Sequence, residues 1–514
     1  MAEGTDYVSA KSRYETLKSR RTAATTRAKA CADLSLPKLY REDGDRNARS
    51  AARTPMQSTG AKCVNALTGR TLSAMFPPNA APFRLSPDAD TVSKLAEDAG
   101  VERGEVETAL AEVERTIVNE FETAQMRPAC HLSFQHGIVA GNFLFYVPDE
   151  GPPKVYPVTR FVCERDGLGQ PLEMVTVDTI TADALDDATR TAVQLERPEP
   201  GADRDPIDLH TRIVLVEDKW ECYQEVNGHM VPGSDGSYPK DECPWIAVAV
   251  PVSDSEDYGA GVFFDYLGDF TTLEALRKAI RKGAAAAAKI LYALDPGSPV
   301  RERQITEAES GAIVRMKATD LSTVSLDKLN DFRFVTESAD RIQRDLEQVF
   351  GVRTSIQRNG ERVTAEEIRY LAMALDETMG GFYSLLAEAF LLPLVKRLIA
   401  RLQKQGRLPE FPPGVLKPRI TVGTAALGRG HDLQQLVGFV EAAKAAVGPE
   451  EVARRLNGAE LLARFAAAAD VSPKGLIRSD EELAEEQDNT ALNEGLIRAA
   501  PQLAQAAMQP QGTP

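Results

Sequence analysis

The chain has 514 residues, 43% of them hydrophobic and 26% charged, with a formal net charge of −16 at pH 7. That length holds about three domains with a sizeable core, and the composition is that of an ordinary folded chain. The acidic balance argues against a general nucleic-acid binder, whose footprint is basic.

The N-terminus, MAEGTDYVSAKSRYE, is polar and lacks the apolar run of a signal peptide. Residues 5–36 read as a helix, because Tyr7, Ala10, Tyr14, Leu17, Ala24, Ala28 and Cys31 recur at heptad-like spacing and Pro37 follows. A second helix is expected from near Pro55 to Pro77–Pro78. A third carries Val106, Leu110, Val113, Ile117 and Phe121 on one face and ends before Pro128. From Phe143 to Pro251 the pattern changes to strands: Phe143–Val147, Arg160–Glu164, Met174–Val177, Ile213–Val216, Trp220–Glu225 and Trp245–Val250. Turn residues separate them at Asp166–Gly169, Asn227–Gly228 and Gly233–Gly236. Thr181–Pro206 reads as a short helix plus an exposed loop. No strand–helix–strand alternation occurs, so this block is α+β with antiparallel sheet.

Helix returns from Phe263 to about Leu291. Ala312–Met316 and Thr323–Leu326 are expected to form a hairpin, and Ser338–Phe350 is helical through Ile342, Leu346 and Val349. A polar loop, Arg353–Arg362, then feeds a long helix. Thr364 and Glu367 fit its capping box. Ile368, Leu371, Ala372, Leu375, Met379, Phe382, Leu385 and Leu386 give it a buried face. Unbroken to Leu402, it would reach roughly 60 Å, with bends expected at Gly380–Gly381 and Pro393. After Gly430 the chain is alanine-rich and helical over Asp432–Val447, Pro449–Ala469 and Ser479–Arg498, and the last fifteen residues carry no charge. The best apolar window, Gly283–Leu294, is interrupted by Lys289 and too short to span a bilayer.

The search for chemistry finds little. Gly283–Ile290 (GAAAAAKI) lacks the second glycine of a phosphate-binding loop and has Ile290 where Mg²⁺ needs a hydroxyl. Gly428-Arg429-Gly430 has no third glycine. His131 and His136 stand five apart rather than at helical ligand spacing. Neither an HExxH nor a GxSxG motif occurs. Acidic pairs such as Asp186–Asp187 and Glu481–Glu482 read as solvated faces. The six cysteines, at 31, 63, 130, 163, 222 and 243, form no CxxC and read as small apolar fillers. The expectation is a non-enzyme with no cofactor and no metal.

Two basic features stand out. Arg277, Lys278, Arg281, Lys282 and Lys289 cluster toward the end of the 263–291 helix, with 278, 282 and 289 near one face. They read either as positive charge for DNA phosphates or as a solvated face, a complement to the helix dipole, or an intersubunit ion pair. In the loop, Arg353, Gln357, Arg358, Asn359 and Arg362 either donate to phosphates without reading bases or are the routine polar composition of a surface loop.

Several stretches resemble one family, the head-to-tail connector or portal proteins of short-tailed bacteriophages. They are TPMQSTGAK (Thr54–Lys62), AMFPP (Ala74–Pro78), VAGNFLFYVPDEG (Val139–Gly151), SDGSYPKDECPW (Ser234–Trp245), YLGDFTTLEALRKAI (Tyr266–Ile280) and GERVTAEEIRY (Gly360–Tyr370), in the family's order. Together they span much of residues 10–430, and the last eighty or so residues match poorly. The resemblance implies a multi-domain α+β architecture: an antiparallel β wing (1–262), a stem helix (263–290) and a small α/β clip (291–335). A second stem helix (336–352), a tunnel loop (353–363), a long wing spine (364–429), a helical crown (430–500) and a disordered tail (501–514) follow.

It further implies a ring of twelve copies at one capsid vertex, with double-stranded DNA passing through without sequence recognition. Lys278, Arg281, Lys282 and Lys289 would line the stem, and the five loop residues would line the tunnel. Arg301, Glu302, Arg303, Glu307 and Glu309 of the clip would dock first a terminase motor, then tail adaptor and nozzle proteins. Major capsid, scaffolding and internal core proteins are the other implied partners, and no membrane is involved. A scaffolding or internal core protein without a DNA path, and a nuclease, are the alternatives from other classes.

Overall fold

The computed structural model describes residues 8–40, 54–76, 83–85, 103–195, 206–250, 256–287, 291–297, 301–309, 312, 313, 315, 317, 319, 321–324, 329–352, 382–409, 418–420, 429–455, 458, 461 and 462. The chain is mixed helix and sheet and divides into two compact units. One comprises residues 1–78 and 117–410, the other 79–116 and 411–514.

In the larger unit, helix α1 (Ala10–Leu34) lies on a meander of strands. Its buried residues include Ala10, Tyr14, Leu17, Ala24, Ala28 and Cys31, so the heptad-like stripe is the core face. The meander runs β3 (Phe161–Arg165), β4 (Pro171–Ile180), β5 (Ile207–Val216), β6 (Lys219–Val226) and β7 (His229–Met230), all antiparallel. Strand β8 (Gly236–Pro239) also pairs with β6. Asn227 and Gly228 both have positive φ, as a two-residue hairpin between β6 and β7 requires. The start of α1 is pinned to the sheet. The buried Glu225 carboxylate accepts from Ser9 Oγ (2.8 Å) and from the backbone of Ala10 (2.6 Å) and Lys11 (3.4 Å), groups with no intrahelical acceptor. Arg13 and Arg212 converge on Glu173, at 2.7 and 2.6 Å.

A second sheet has three antiparallel strands, with β1 (Asn142–Tyr146) between β2 (Lys154–Pro157) and β9 (Trp245–Ala249). Phe143, Leu144 and Phe145 are all fully buried, so β1 is covered on both faces and shows no alternation. Phe390 meets Phe134, Phe143 and Phe145 edge-on at 5.8, 5.5 and 5.2 Å. It belongs to a π-helical turn, Ala387–Leu391, directly ahead of Pro393. Proline has no N–H for the carbonyl four residues back, and the widened turn absorbs that loss. Leu386 is buried but Leu385 is 43% exposed, against the expected apolar stripe. Successive helical residues point about 100° apart, so both cannot face one core. Thr364–Gly381, with the expected capping box at Thr364, and the expected helix Ser479–Arg498 lie outside the described residues.

The strand expectations hold in position, with bounds shifted by a few residues. Other elements differ: strands Lys154–Pro157 and Gly236–Pro239 were not expected, and the helix expected over Ser338–Phe350 begins at Leu329. Helix α3 (Met126–Ala140) precedes β1, and no expectation covered it. The expected 263–291 helix is a short turn, Val262–Asp265, followed by α4 (Leu267–Ala287). The hairpin strand preceding Leu321 is β10 (Leu291–Leu294), not Ala312–Met316; it pairs with β11 (Leu321–Val324). Ala312, Ile313 and Arg315 are in no strand. The alanine run before Leu291 makes the helix look longer than it is, and cross-strand pairing of Leu291 with Val324 decides otherwise.

In the smaller unit, Phe83–Leu85 pairs antiparallel with Pro418–Ile420, and the Leu85 amide donates to Glu114 Oε1 (2.7 Å). Two further helices, Arg429–Val447 and Pro449–Arg455, follow. No helix among the described residues is long and apolar enough to cross a membrane.

His136 on α3 is buried, with Nδ1 3.1 Å from the Tyr40 hydroxyl, and burial pushes it down from 6.5 to about 4. Between those values the unfolded chain binds a proton that the folded chain refuses. The stability tied to the neutral ring is therefore whole above pH 6.5 and lost as pH falls toward 4, by about 3 kcal/mol in all. The thermal midpoint of His136→Gln should fall less between pH 7 and pH 4.5 than that of the unsubstituted chain. Equal falls would show that this ring carries no such burden.

Candidate functional site

The candidate site is a pair of helices and the loops that hold them. Helix α4 and helix α5 (Leu329–Val349) pack together within the larger unit. Phe263 and Phe270 stack at 4.1 Å between centroids, and Phe350 packs against both at 6.2 and 5.8 Å. All three rings are fully buried.

Two contacts mount this pair on the rest of the unit. In the first, Gly141 and Gly261 bring two backbones together. A Cβ on Gly141 would lie 2.5 Å from the Ala260 carbonyl carbon, and one on Gly261 would lie 2.4 Å from the Ile138 oxygen. Asn142 closes the seam: its Nδ2 donates to Ala140 O (2.7 Å) and Gly259 O (2.8 Å), and its Oδ1 accepts from Gly259 N (2.9 Å). In the second, Glu274 of α4 accepts from the backbone amides of Met56 (2.9 Å) and Gln57 (3.2 Å), just ahead of helix α2 (Thr59–Met75). Gln57 donates in turn to Leu34 O (2.7 Å) and accepts from Gly60 N (2.8 Å). The stretches around TPMQSTGAK and VAGNFLF are thus the pieces that hold α4. Their signal in the sequence is the pairing of glycines with a single short amide side chain.

The basic cluster resolves into two groups. Arg277 turns inward, donating to Asp340 (2.8 Å) and Gln343 Oε1 (2.7 Å) on α5, so it cross-links the two helices of one chain. Lys278 and Lys282 are exposed, about 100° and 140° around the helix from Arg277 and one turn apart. Arg281 is exposed too, but donates to the Met56 sulfur (3.4 Å), toward the mount. Lys289 lies outside the described residues, as do Arg353, Gln357, Arg358, Asn359 and Arg362.

Between the helices, β10 and β11 form a two-stranded antiparallel sheet, and a short helix, Glu302–Thr306, lies between them in the chain. Arg301, Glu302, Arg303, Glu307 and Glu309 are all exposed. The Arg301 amide donates to Gln304 Oε1 (3.2 Å), which fixes the helix start.

Among the described residues, burial holds the thiols away from the reactive thiolate form. Burial pushes the thiols of Cys31, Cys63 and Cys243 up to about 12 and that of Cys222 to about 11. Burial likewise lowers His131 and His210. Among the described residues, no three His, Cys, Asp or Glu side chains gather as metal ligands.

Comparison with known proteins gives this arrangement its class. A family model described as "Bacteriophage head to tail connecting protein" matches residues 8–477. The chain is 36% identical over 503 residues to a protein of Escherichia phage T7 named "Portal protein", covering 96% of this chain and 93% of that one. The "Portal protein" of Enterobacteria phage T3 is 34% identical over 479 residues, covering 92% and 89%. That of Enterobacteria phage SP6 is 28% identical over 507 residues, covering 96% of each. The chain belongs to the family of bacteriophage head to tail connecting proteins. The match runs beyond residue 430, further than the residues that signal it in the sequence.

The mount makes a prediction against the usual trend. Alanine in place of a helical glycine normally stabilises by about 1 kcal/mol. At Gly60 a Cβ would lie 2.0 Å from Leu34 O, so Gly60→Ala should destabilise instead. Asn142→Ala leaves a buried seam unpaired, at a cost of about 1–3 kcal/mol. Denaturant midpoints should fall for both; a rise for Gly60→Ala would refute the close approach.

Proposed function

We propose that this chain is one subunit of a closed ring that forms the DNA channel at a single capsid vertex, for packaging, head-to-tail joining and ejection. The observation that carries this reading is the family match across residues 8–477, with portal proteins aligned over more than nine-tenths of the chain. A ring of twelve copies suits the family. In this reading α4 and α5 are the stem, the β10–β11 segment is the clip, 353–363 is the tunnel loop and 430–500 is the crown. The partners are a terminase motor that supplies the work of packaging, then tail adaptor and nozzle proteins, with capsid, scaffolding and internal core proteins around the head side.

The charge distribution supports a conduit. Each copy carries −16, so the assembled wall is strongly acidic, and DNA sliding past it is not arrested by accumulated phosphate contacts. Lys278 and Lys282 present an exposed positive row on the stem, and Arg277 serves the fold instead. Electron micrographs of the purified protein should show rings with a central hole, whereas a scaffolding or core protein would show none. Charge reversal at Arg301, Glu302, Arg303, Glu307 and Glu309 should keep the rings and abolish packaging, because exposed rim charges govern partner choice more than folding. Normal packaging by those variants would remove this segment from the docking surface.

The loop arginines give a separate test. Repeated around a ring axis, Arg358 and Arg362 become circles of positive charge inside an acidic tube, gripping phosphates in a salt-dependent way. Replacing both with alanine should leave rings and stability near normal and impair retention of packaged DNA. Lost rings would make these arginines structural, and full genome retention would take the loop off the channel wall.

A further inference from the structure

Two carboxylates of the larger unit are each shared between a buried arginine and an exposed cation. Asp149 takes Arg397 and Lys404, and Glu120 takes Arg401 and Arg407. Arg397 and Arg401 lie on the helix Leu392–Lys404 and are buried, whereas Lys404 at its end and Arg407 just beyond it are exposed. Asp149 is divided evenly: Arg397 donates to Oδ1 at 2.5 Å and Lys404 to Oδ2 at 2.6 Å. Glu120, on the helix Arg103–Thr123, is not.

Arg407 donates from Nη1 to Glu120 Oε2, although 46% of its side chain meets water. Arg401, only 5% exposed, has Nη2 at 3.3 Å from Oε1, whereas a well-made charge-assisted bond is about 2.7–2.9 Å long. A guanidinium has two donor edges, Nη2 with Nε and Nη2 with Nη1. Both Nε and Nη1 of Arg401 are buried without a partner, so on either edge the donor beside Nη2 lacks an acceptor. The carboxylate is thus drawn toward the cation that water also solvates and away from the one that water does not reach.

We infer that Glu120 is a two-position carboxylate: it leaves Arg407 and seats both oxygens on one edge of Arg401, which releases Arg407 into solvent. The buried carboxylate stays paired throughout, and Arg407 exchanges it for water at little cost. Lys404 stands in the same relation to Asp149, whose other oxygen remains on Arg397. Both exposed cations are therefore detachable, and neither strands its carboxylate on leaving.

Substitutions in the full-length chain test it. Arg407→Gln alone and Arg401→Met alone each leave Glu120 one arginine, and each should lower the thermal midpoint only slightly. The double variant leaves the buried carboxylate unpaired, and its midpoint should fall by at least about twice the sum of the single falls. Adding Glu120→Gln removes the stranded charge and should recover most of that loss, or restore folding where the double variant does not fold. In the structure of Arg407→Gln, both Glu120 oxygens should lie within about 3 Å of the two nitrogens on one edge of Arg401. Single falls that simply add, or a Glu120 that keeps its place in Arg407→Gln, would overturn the exchange.

Discussion

The seam at Gly141, Asn142 and Gly259–Gly261 is the constraint on which the larger unit depends. Two loops approach so closely there that neither glycine has room for a Cβ, and one asparagine supplies the hydrogen bonds across the gap. On one side the chain runs directly into β1, buried on both faces. On the other it runs into Val262–Asp265 and α4. The direction in which α4 leaves the sheet is therefore set by backbone contact rather than by side chains that repack. Backbone has fewer ways to relax than an apolar core, which can trade one shape for another. Glu274 adds a second fixed point a little further along α4, and Arg277 ties α4 to α5.

The other end of the unit is held by charge. Helix α6 (Leu392–Lys404) sends the buried Arg397 to the Val147 carbonyl (3.1 Å) and to Asp149 (2.5 Å), while Lys404 takes the other Asp149 oxygen (2.6 Å). Burial disfavours the Asp149 carboxylate, but hydrogen bonds from Lys404 and Arg397 outweigh it and hold the group below the usual range. Arg401 and Arg407 share Glu120, which is nearly fully buried. Nε and one terminal nitrogen of Arg401 have no partner, and burial disfavours its charge. Such networks add little net stability against an apolar alternative, but they punish any other register. That suits a helix that must leave β1 and its strand neighbours in one place.

The two kinds of fastening act on different parts of the larger unit. The α4–α5 pair is mounted by the seam and by Glu274, whereas the segment between β10 and β11 carries exposed charges. Lys278 and Lys282 of α4 are exposed, in a chain whose net charge is −16.

The sequence by itself determined the class and most of the elements. The α1 stripe, the strands of the meander and the shared face of Lys278 and Lys282 follow from local periodicity, which each residue carries without help from the rest. Only the tertiary structure decided which charges are free: Arg277 reads like its lysine neighbours until α5 brings Asp340 and Gln343 beside it. Only cross-strand pairing placed the hairpin at Leu291–Leu294, where an alanine run suggests helix. The role of the glycines at 60, 141 and 261 as contact points appears only when distant backbones meet. Periodicity is local and legible in one dimension; pairing and close approach are properties of two segments, and no single segment encodes them.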